Sequence, residues 1–263
     1  MIDPLVERAQ SGDAKALEQL LASVAPAVQR FGRRMCGSPN DADDVLQDTL
    51  LTIAMHLGEF QGSSSLLSWV FSLTRSACAR RRRGLKNRPH AAVSEVGELR
   101  DPSASPEDRA SDRELAEALT RALDRLPEEH REVIILRDME GLSAADAAGS
   151  LGISVDALKS RLHRARESLR ARLKPLLEAD APAPSSGCPE ISTLWSKKLE
   201  GDLSQSDCSA MEAHMSSCAA CSVACHALKR ALVTCVRSAT PEIEPAVQAR
   251  VKAAVRAWSA QRH

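Results

Sequence analysis

Apolar residues recur every three or four positions along most of the chain, and no stretch sustains the every-second-residue alternation of a half-buried strand. That period commits the backbone to helices, each burying one face, and the fold class it predicts is all-α. The cores between those faces must be aliphatic: of 263 residues only Phe31, Phe60, Phe71, Trp69, Trp195 and Trp258 are aromatic, and Tyr is absent. At roughly 150 residues per domain, a chain of this length divides into two or three small units.

Two breaks in the pattern mark the divisions. Residues 85–108 carry Pro89, Pro102 and Pro106 among small and polar residues without an apolar period, and EADAPAPSSG at 178–187 carries Pro182 and Pro184. Both read as linkers. The expected organisation is a helical unit at 1–86, a linker at 87–110, a second unit at 111–176, a short linker at 177–187 and a cysteine-rich unit at 188–263.

Overall charge is balanced, with 35 basic and 35 acidic residues, but the charges are segregated. Positions 41–59 hold five acids and no Lys or Arg, positions 75–88 hold seven bases and no acid, and positions 157–174 hold seven bases against Glu167. Discrete basic blocks in a neutral chain predict local polyanion contacts rather than a uniform coat. In the first unit, Asn40 or Asp41 is the expected cap of a helix burying Leu46, Leu50, Ile53 and Leu57, with Asp41, Asp44 and Asp48 on one stripe. A following helix from about Leu66 to Arg83 ends in the Arg80–Arg83 cluster.

The segment after Gly141 is more specific. Ser143 is a natural cap for a short Ala-rich helix, Gly152 permits a sharp turn, and Ser154 caps a basic helix running to about Leu173. Helix, Gly turn and basic helix together make a helix-turn-helix. Val155, Leu158, Leu162 and Leu169 anchor the second helix, and Lys159, Arg161, Arg164 and Arg166 remain to reach phosphates or bases.

Eight cysteines are present, six of them at or beyond position 188. The start MIDPLVERAQ lacks the features of a secretory signal and no run is apolar enough to span a bilayer, so the expected compartment is the reducing cytoplasm, with no membrane partner. Clustered thiols there read as metal or redox chemistry. His214-x3-Cys218-x2-Cys221 has ligand spacing: four residues make one helical turn, and a C-x2-C pair grips one tetrahedral ion. Cys225 stands one turn after Cys221, while Cys208 and Cys235 could complete a second site or exchange with a ligand. Sulfur donors favour a thiophilic ion such as zinc, cadmium or copper(I). Cys36 and Cys78 read as ordinary buried thiols. The closing helix from about Pro245 carries Val247, Val251, Val255 and Trp258 on one face, which reads as packing, with docking into a partner's groove as the other reading.

The stretches NDADDVLQDTLLTIA (40–54), FQGSSSLLSWVFSLTRSACARRRR (60–83) and LPEEHREVIILRDMEGLSAADAAGSLGISVDALKSRLHRARESLR (126–170) resemble regions two and four of bacterial extracytoplasmic-function (ECF) sigma factors. The resemblance covers roughly residues 5–175. It implies that the 1–86 unit is region two and the 111–176 unit region four, and that the partners are RNA polymerase core, through its β′ clamp helices and β subunit, and promoter DNA. The polymerase-binding set it implies is Asp41, Asp44, Gln47 and Asp48. For DNA it implies Phe60, Arg75, Arg80, Arg81, Arg82 and Arg83 at the minus-ten element, and Asp156, Lys159, Ser160, Arg161, Arg164 and Arg166 at the minus-thirty-five element.

The tail resembles the zinc-binding anti-sigma domain, which makes Cys188 the upstream ligand. An ECF region fused to a six-cysteine tail is similar to the CorE-type metal-dependent sigma factors, which implies control in cis without a separate anti-sigma protein. The full expected ligand pool is Cys188, Cys208, His214, Cys218, Cys221, Cys225 and Cys235. Two other readings stay open, a thiol-disulfide sensor with structural zinc and a stand-alone helix-turn-helix regulator. An enzyme is not expected, since G-x4-G-K-[ST], H-E-x-x-H and G-x-S-x-G are all missing.

Overall fold

Short polar residues set the helix starts. In the computed structural model Asp13 caps one helix by accepting from the Lys15 and Ala16 amides. Ser38, Ser143 and Ser204 each accept from the amide three residues on and donate their hydroxyl to the carboxylate of the Asp there (Asp41, Asp146 and Asp207), the same side-chain cap three times over. The cap of the acidic helix is therefore Ser38 rather than Asn40 or Asp41. Pro39 takes the first helical position, where its missing amide proton costs nothing.

The structure describes residues 3–36, 38–84, 106–179, 182, 183, 185, 187–237, 243 and 245–260. The helices are α1 (Pro4–Gln10), α2 (Ala14–Met35), α3 (Pro39–His56), α4 (Leu66–Gly84), α5 (Pro106–Asp124), α6 (Glu128–Ile134), α7 (Ala144–Leu151), α8 (Val155–Leu177), α9 (Ile191–Leu199), α10 (Gln205–Ser217), α11 (Ala219–Arg237) and α12 (Pro245–Ala260). No strand occurs among the described residues, so the chain is all-α as its periodicity requires. None of their helices is long and apolar enough to cross a membrane. Most of the 87–110 linker lies outside the described residues, but α5 starts at Pro106, inside it.

Two compact units result, residues 1–93 with 149–152 and 240–263, and residues 94–148 with 153–239. In the first, α1 to α4 bury Leu20, Val28, Leu46, Leu50, Ile53 and Val70. Phe31 and Phe71 meet with ring centroids 5.6 Å apart. Cys36 and Cys78 are buried, their sulfurs 3.1 Å apart. The closing helix α12 belongs to this unit, not to the cysteine-rich segment that precedes it. Val247 is buried in the same core, α12 packs on α3, and Arg256 pairs with Glu18 at 3.6 Å.

In the second unit, α5, α6 and α8 bury Leu115, Leu119, Leu123, Val133, Leu158, Leu162 and Leu169. After α6 the backbone widens into one π-helical turn, Ile135–Met139. Positive φ at Gly141 and Gly152 supplies the left-handed residues that bracket α7. The cysteine-rich helices α9 and α11 pack on α8, and α11 also contacts α5.

Candidate metal centre and nucleic-acid interface

Four ligand-bearing side chains converge where α10 hands over to α11. Cys188 precedes α9, His214 lies in the last turn of α10, Cys218 caps that helix, and Cys221 sits in the first turn of α11. Their donor atoms all lie within 4.8 Å of one another. The Cys188 and Cys218 sulfurs are 3.6 Å apart, and His214 Nε2 is 3.3 Å from the Cys221 sulfur. A tetrahedral ion with bonds of about 2.3 Å to sulfur and 2.0 Å to nitrogen requires donor separations of about 3.5–3.8 Å, so this quartet fits such an ion with only small adjustment.

The floor beneath it is a small apolar cluster of Ile191, Met211, Cys221 and Cys225, edged by Leu194, Trp195, Leu203 and Met215. Burial, together with the neighbouring Cys188 and Cys218 sulfurs, pushes the Cys221 thiol up to about 12. The Ser185 hydroxyl and then His214, Cys221 and Cys218 stabilise the Cys188 thiolate and lower it to about 6, against a smaller opposing effect of burial. A cation held among these four donors would favour the deprotonated form of each thiol, against the effect that burial has on Cys221.

Of the remaining expected ligands, Cys225 is buried and Cys208 half-buried, outside the quartet, and both act electrostatically on the Lys198 ammonium. The side chain of Cys235 lies outside the described residues.

The nucleic-acid candidates divide by exposure. On α8, Asp156, Ser160 and Arg164 are exposed at intervals of four and form one outward stripe. Lys159 is joined to Asp202 at 2.5 Å and Arg161 to Glu129 at 3.4 Å. Arg166 departs from the expectation of a DNA contact, because its side chain is only 4% exposed. Its guanidinium donates to Asp138 at 2.5 and 3.0 Å, to Glu200 at 2.9 Å and to the Ser196 hydroxyl at 2.9 Å. Burial opposes the Arg166 charge, but Asp138 and Glu200 outweigh it and raise its pKa above the usual value. Arg137 completes the cluster, Nε to Glu200 at 3.1 Å.

In the first unit Phe60 is also interior, 8% exposed with its ring 5.3 Å from that of Trp69, so it presents no face for a base to stack on. Arg80 and Arg83 are exposed, and Arg75 and Arg82 half-buried. Arg81 turns back onto the acidic stripe, donating to Asp41 at 3.0 Å and to Asp44, which raises its pKa above the usual value. Gln47 is half-buried and Asp48 exposed beside them.

Residues 20–88 match the Sigma-70 region 2 family, residues 116–169 the Sigma-70 region 4 family and residues 188–222 a zinc-finger family. The ECF RNA polymerase sigma factor SigM of Mycobacterium tuberculosis is 36% identical over 163 residues, which span 62% of this chain and 79% of SigM. The RNA polymerase sigma factor CarQ of Myxococcus xanthus is 34% identical over 173 residues, 65% of this chain and 97% of CarQ. The chain belongs to the ECF RNA polymerase sigma factors. It directs RNA polymerase to promoter DNA for initiation.

This sigma factor is also similar to the solved structure of CnrH in complex with the cytosolic domain of CnrY, with 29% identity and a TM-score of 0.50 over 67% of this chain and 97% of that one. In that complex the partner is a second polypeptide, whereas here the zinc-finger segment is continuous with the sigma regions. Missing from the sequence-based expectations were Asp138, Glu200 and Asp202. The helix-ending Gly201 between two acids marked a turn, but nothing local marked its basic partners.

Proposed function

We propose that this ECF sigma factor is switched in cis by a thiophilic ion held by its own cysteine-rich segment. The observation that carries the reading is the Cys188, His214, Cys218 and Cys221 quartet, which lies just before α9, at the end of α10 and at the start of α11, with α9 and α11 packed directly on α8. A bound ion would supply a tetrahedral tie between the residue before α9 and the α10–α11 junction. The ion is zinc, cadmium or copper(I), and Cys208, Cys225 and Cys235 are the thiols that would exchange into the site or hold a second ion.

The energy is sufficient. Moving a two-state equilibrium from mostly off to mostly on takes about 5.5 kcal/mol of differential binding, and tetrahedral zinc sites of this kind supply about 10–16 kcal/mol. Asp41, Asp44, Gln47 and Asp48 are the residues proposed to meet polymerase. Arg75, Arg80, Arg82 and Arg83, with the α8 stripe of Asp156, Ser160 and Arg164, are those proposed to meet DNA. With control inside the chain, no separate anti-sigma protein is needed.

The test is run-off transcription with core polymerase under reducing conditions, titrating Zn(II), Cd(II) and Cu(I) against Ser substitutions of the six tail cysteines. Output should change with one ion and lose that response in Cys188→Ser, Cys218→Ser and Cys221→Ser. A response to peroxide alone, reversed by dithiothreitol and indifferent to every ion, would assign the same quartet to disulfide sensing. Output indifferent to both removes control by the tail.

A further inference from the structure

The cysteine-rich segment touches the helix-turn-helix through a three-residue acidic turn, Glu200-Gly201-Asp202. The turn closes α9 by a Schellman arrangement: the Gly201 amide bonds to the Lys198 carbonyl at 3.1 Å and the Asp202 amide to the Lys197 carbonyl at 2.9 Å. Gly201 has φ +72°, the left-handed conformation that glycine adopts without strain. The reversal carries two carboxylates, two residues apart, to region 4. Glu200 is buried against Arg166 and Arg137, and Asp202 reaches Lys159.

We propose that this turn is a phosphate surrogate: Glu200 anchors it in region 4, and the Asp202 carboxylate holds the Lys159 ammonium where a promoter phosphate would otherwise bind, so the segment and duplex DNA compete for α8. The proposal rests on reading α8 as the promoter-facing helix and specifies how the tail restrains it.

Position supports the assignment. In a helix-turn-helix the N-terminal part of the second helix enters the groove, and Lys159 lies in the second turn of α8, beside the exposed Asp156, Ser160 and Arg164. The two carboxylates differ in kind. Glu200 has a side chain 3% exposed and two arginine partners, which makes it a fixed structural anchor. Asp202 and Lys159 are 40% and 29% exposed, so water and salt reach the pair and a polyanion can displace the carboxylate without dismantling the unit. A Lys released to DNA neutralises one further phosphate, and each such contact steepens the salt dependence of binding by about 0.9 in log K against log salt.

The experiment measures fluorescence anisotropy of a labelled 30-base-pair duplex of mixed sequence with the full chain, from 50 to 200 mM salt, without polymerase and without added metal. Asp202→Asn should tighten binding about fivefold at 100 mM and steepen the salt slope by about 0.9. In a Lys159→Ala background the same substitution should do neither. Asp202→Ala, which lacks the amide, should repeat the result and excludes a new hydrogen bond as its source. Unchanged binding by Asp202→Asn overturns the proposal. So does an equal gain in the Lys159→Ala background, which would mean a general loss of negative charge. Because no ion is varied, failure here leaves metal control standing, and failure of metal control in transcription leaves this competition standing.

Discussion

Arg166→Met should unfold the second unit far more readily than any change on its surface. Arg166 makes four close hydrogen bonds from a side chain 4% exposed, to Asp138 twice, to Glu200 and to Ser196. Met fills much of the same volume, so the loss is electrostatic: Asp138, 7% exposed, and Glu200 are left buried beside a thioether. Removing one partner of a buried ion pair costs about 3–5 kcal/mol. Arg137 remains on Glu200 at 3.1 Å, which puts the expected loss near the lower end, about 3 kcal/mol or a factor of roughly 150 in the unfolding equilibrium.

Trp195, on α9 in this unit, reports the transition by fluorescence in urea. The midpoint should fall without a change in slope, and Arg166→Met combined with Asp138→Leu should recover part of the loss because it removes the stranded charge. A change below about 1 kcal/mol for Arg166→Met, the scale of an exposed pair, would refute the view that this cluster ties the cysteine-rich helices to region 4.

Other outcomes follow from the same geometry. Cys218→Ser should abolish tight zinc binding, measured by competition with a chromogenic chelator, whereas Cys36→Ser should leave the stoichiometry unchanged. Gly201→Ala has no neighbour within 4 Å of the added methyl, so its cost should be conformational only, about 1 kcal/mol in urea melts. Ser154→Ala removes the bond to the Ala157 amide at the start of α8 and should cost about 1 kcal/mol by the same measurement. Arg81→Ala breaks pairs that water reaches on both sides and should change stability by less than about 1 kcal/mol.

Features decided within a few residues were legible in the sequence. Ser143, Ser154 and Gly152 mark their helix ends because capping and left-handed turns depend on one residue and its next three amides. His214, Cys218 and Cys221 were legible from their own spacing, whereas Cys188, far upstream, was implied only by the resemblance to the zinc-binding anti-sigma domain. Features decided by distant partners were not. A Lys or Arg on an amphipathic helix looks the same whether it faces DNA or a carboxylate, so the pairs of Arg166 with Glu200 and Lys159 with Asp202 left no local trace. Phe60 follows the same logic: an aromatic beside a Gly-Ser loop suits either a base or a core, and Trp69 decides for the core. The apolar stripe of α12 announced packing but not its location.

That location reorders the protein's assembly in time. Residues 3–84 leave the ribosome well before α12, yet the hydrophobic surface that Val247 covers waits until α12 has been made. A polypeptide still being synthesised, or one clipped between α11 and α12, presents a front unit lacking its final piece, and contacts closed across so long a stretch of chain form late. Proteolysis in that interval would yield a species whose exposed patch on α3 is absent from the finished molecule.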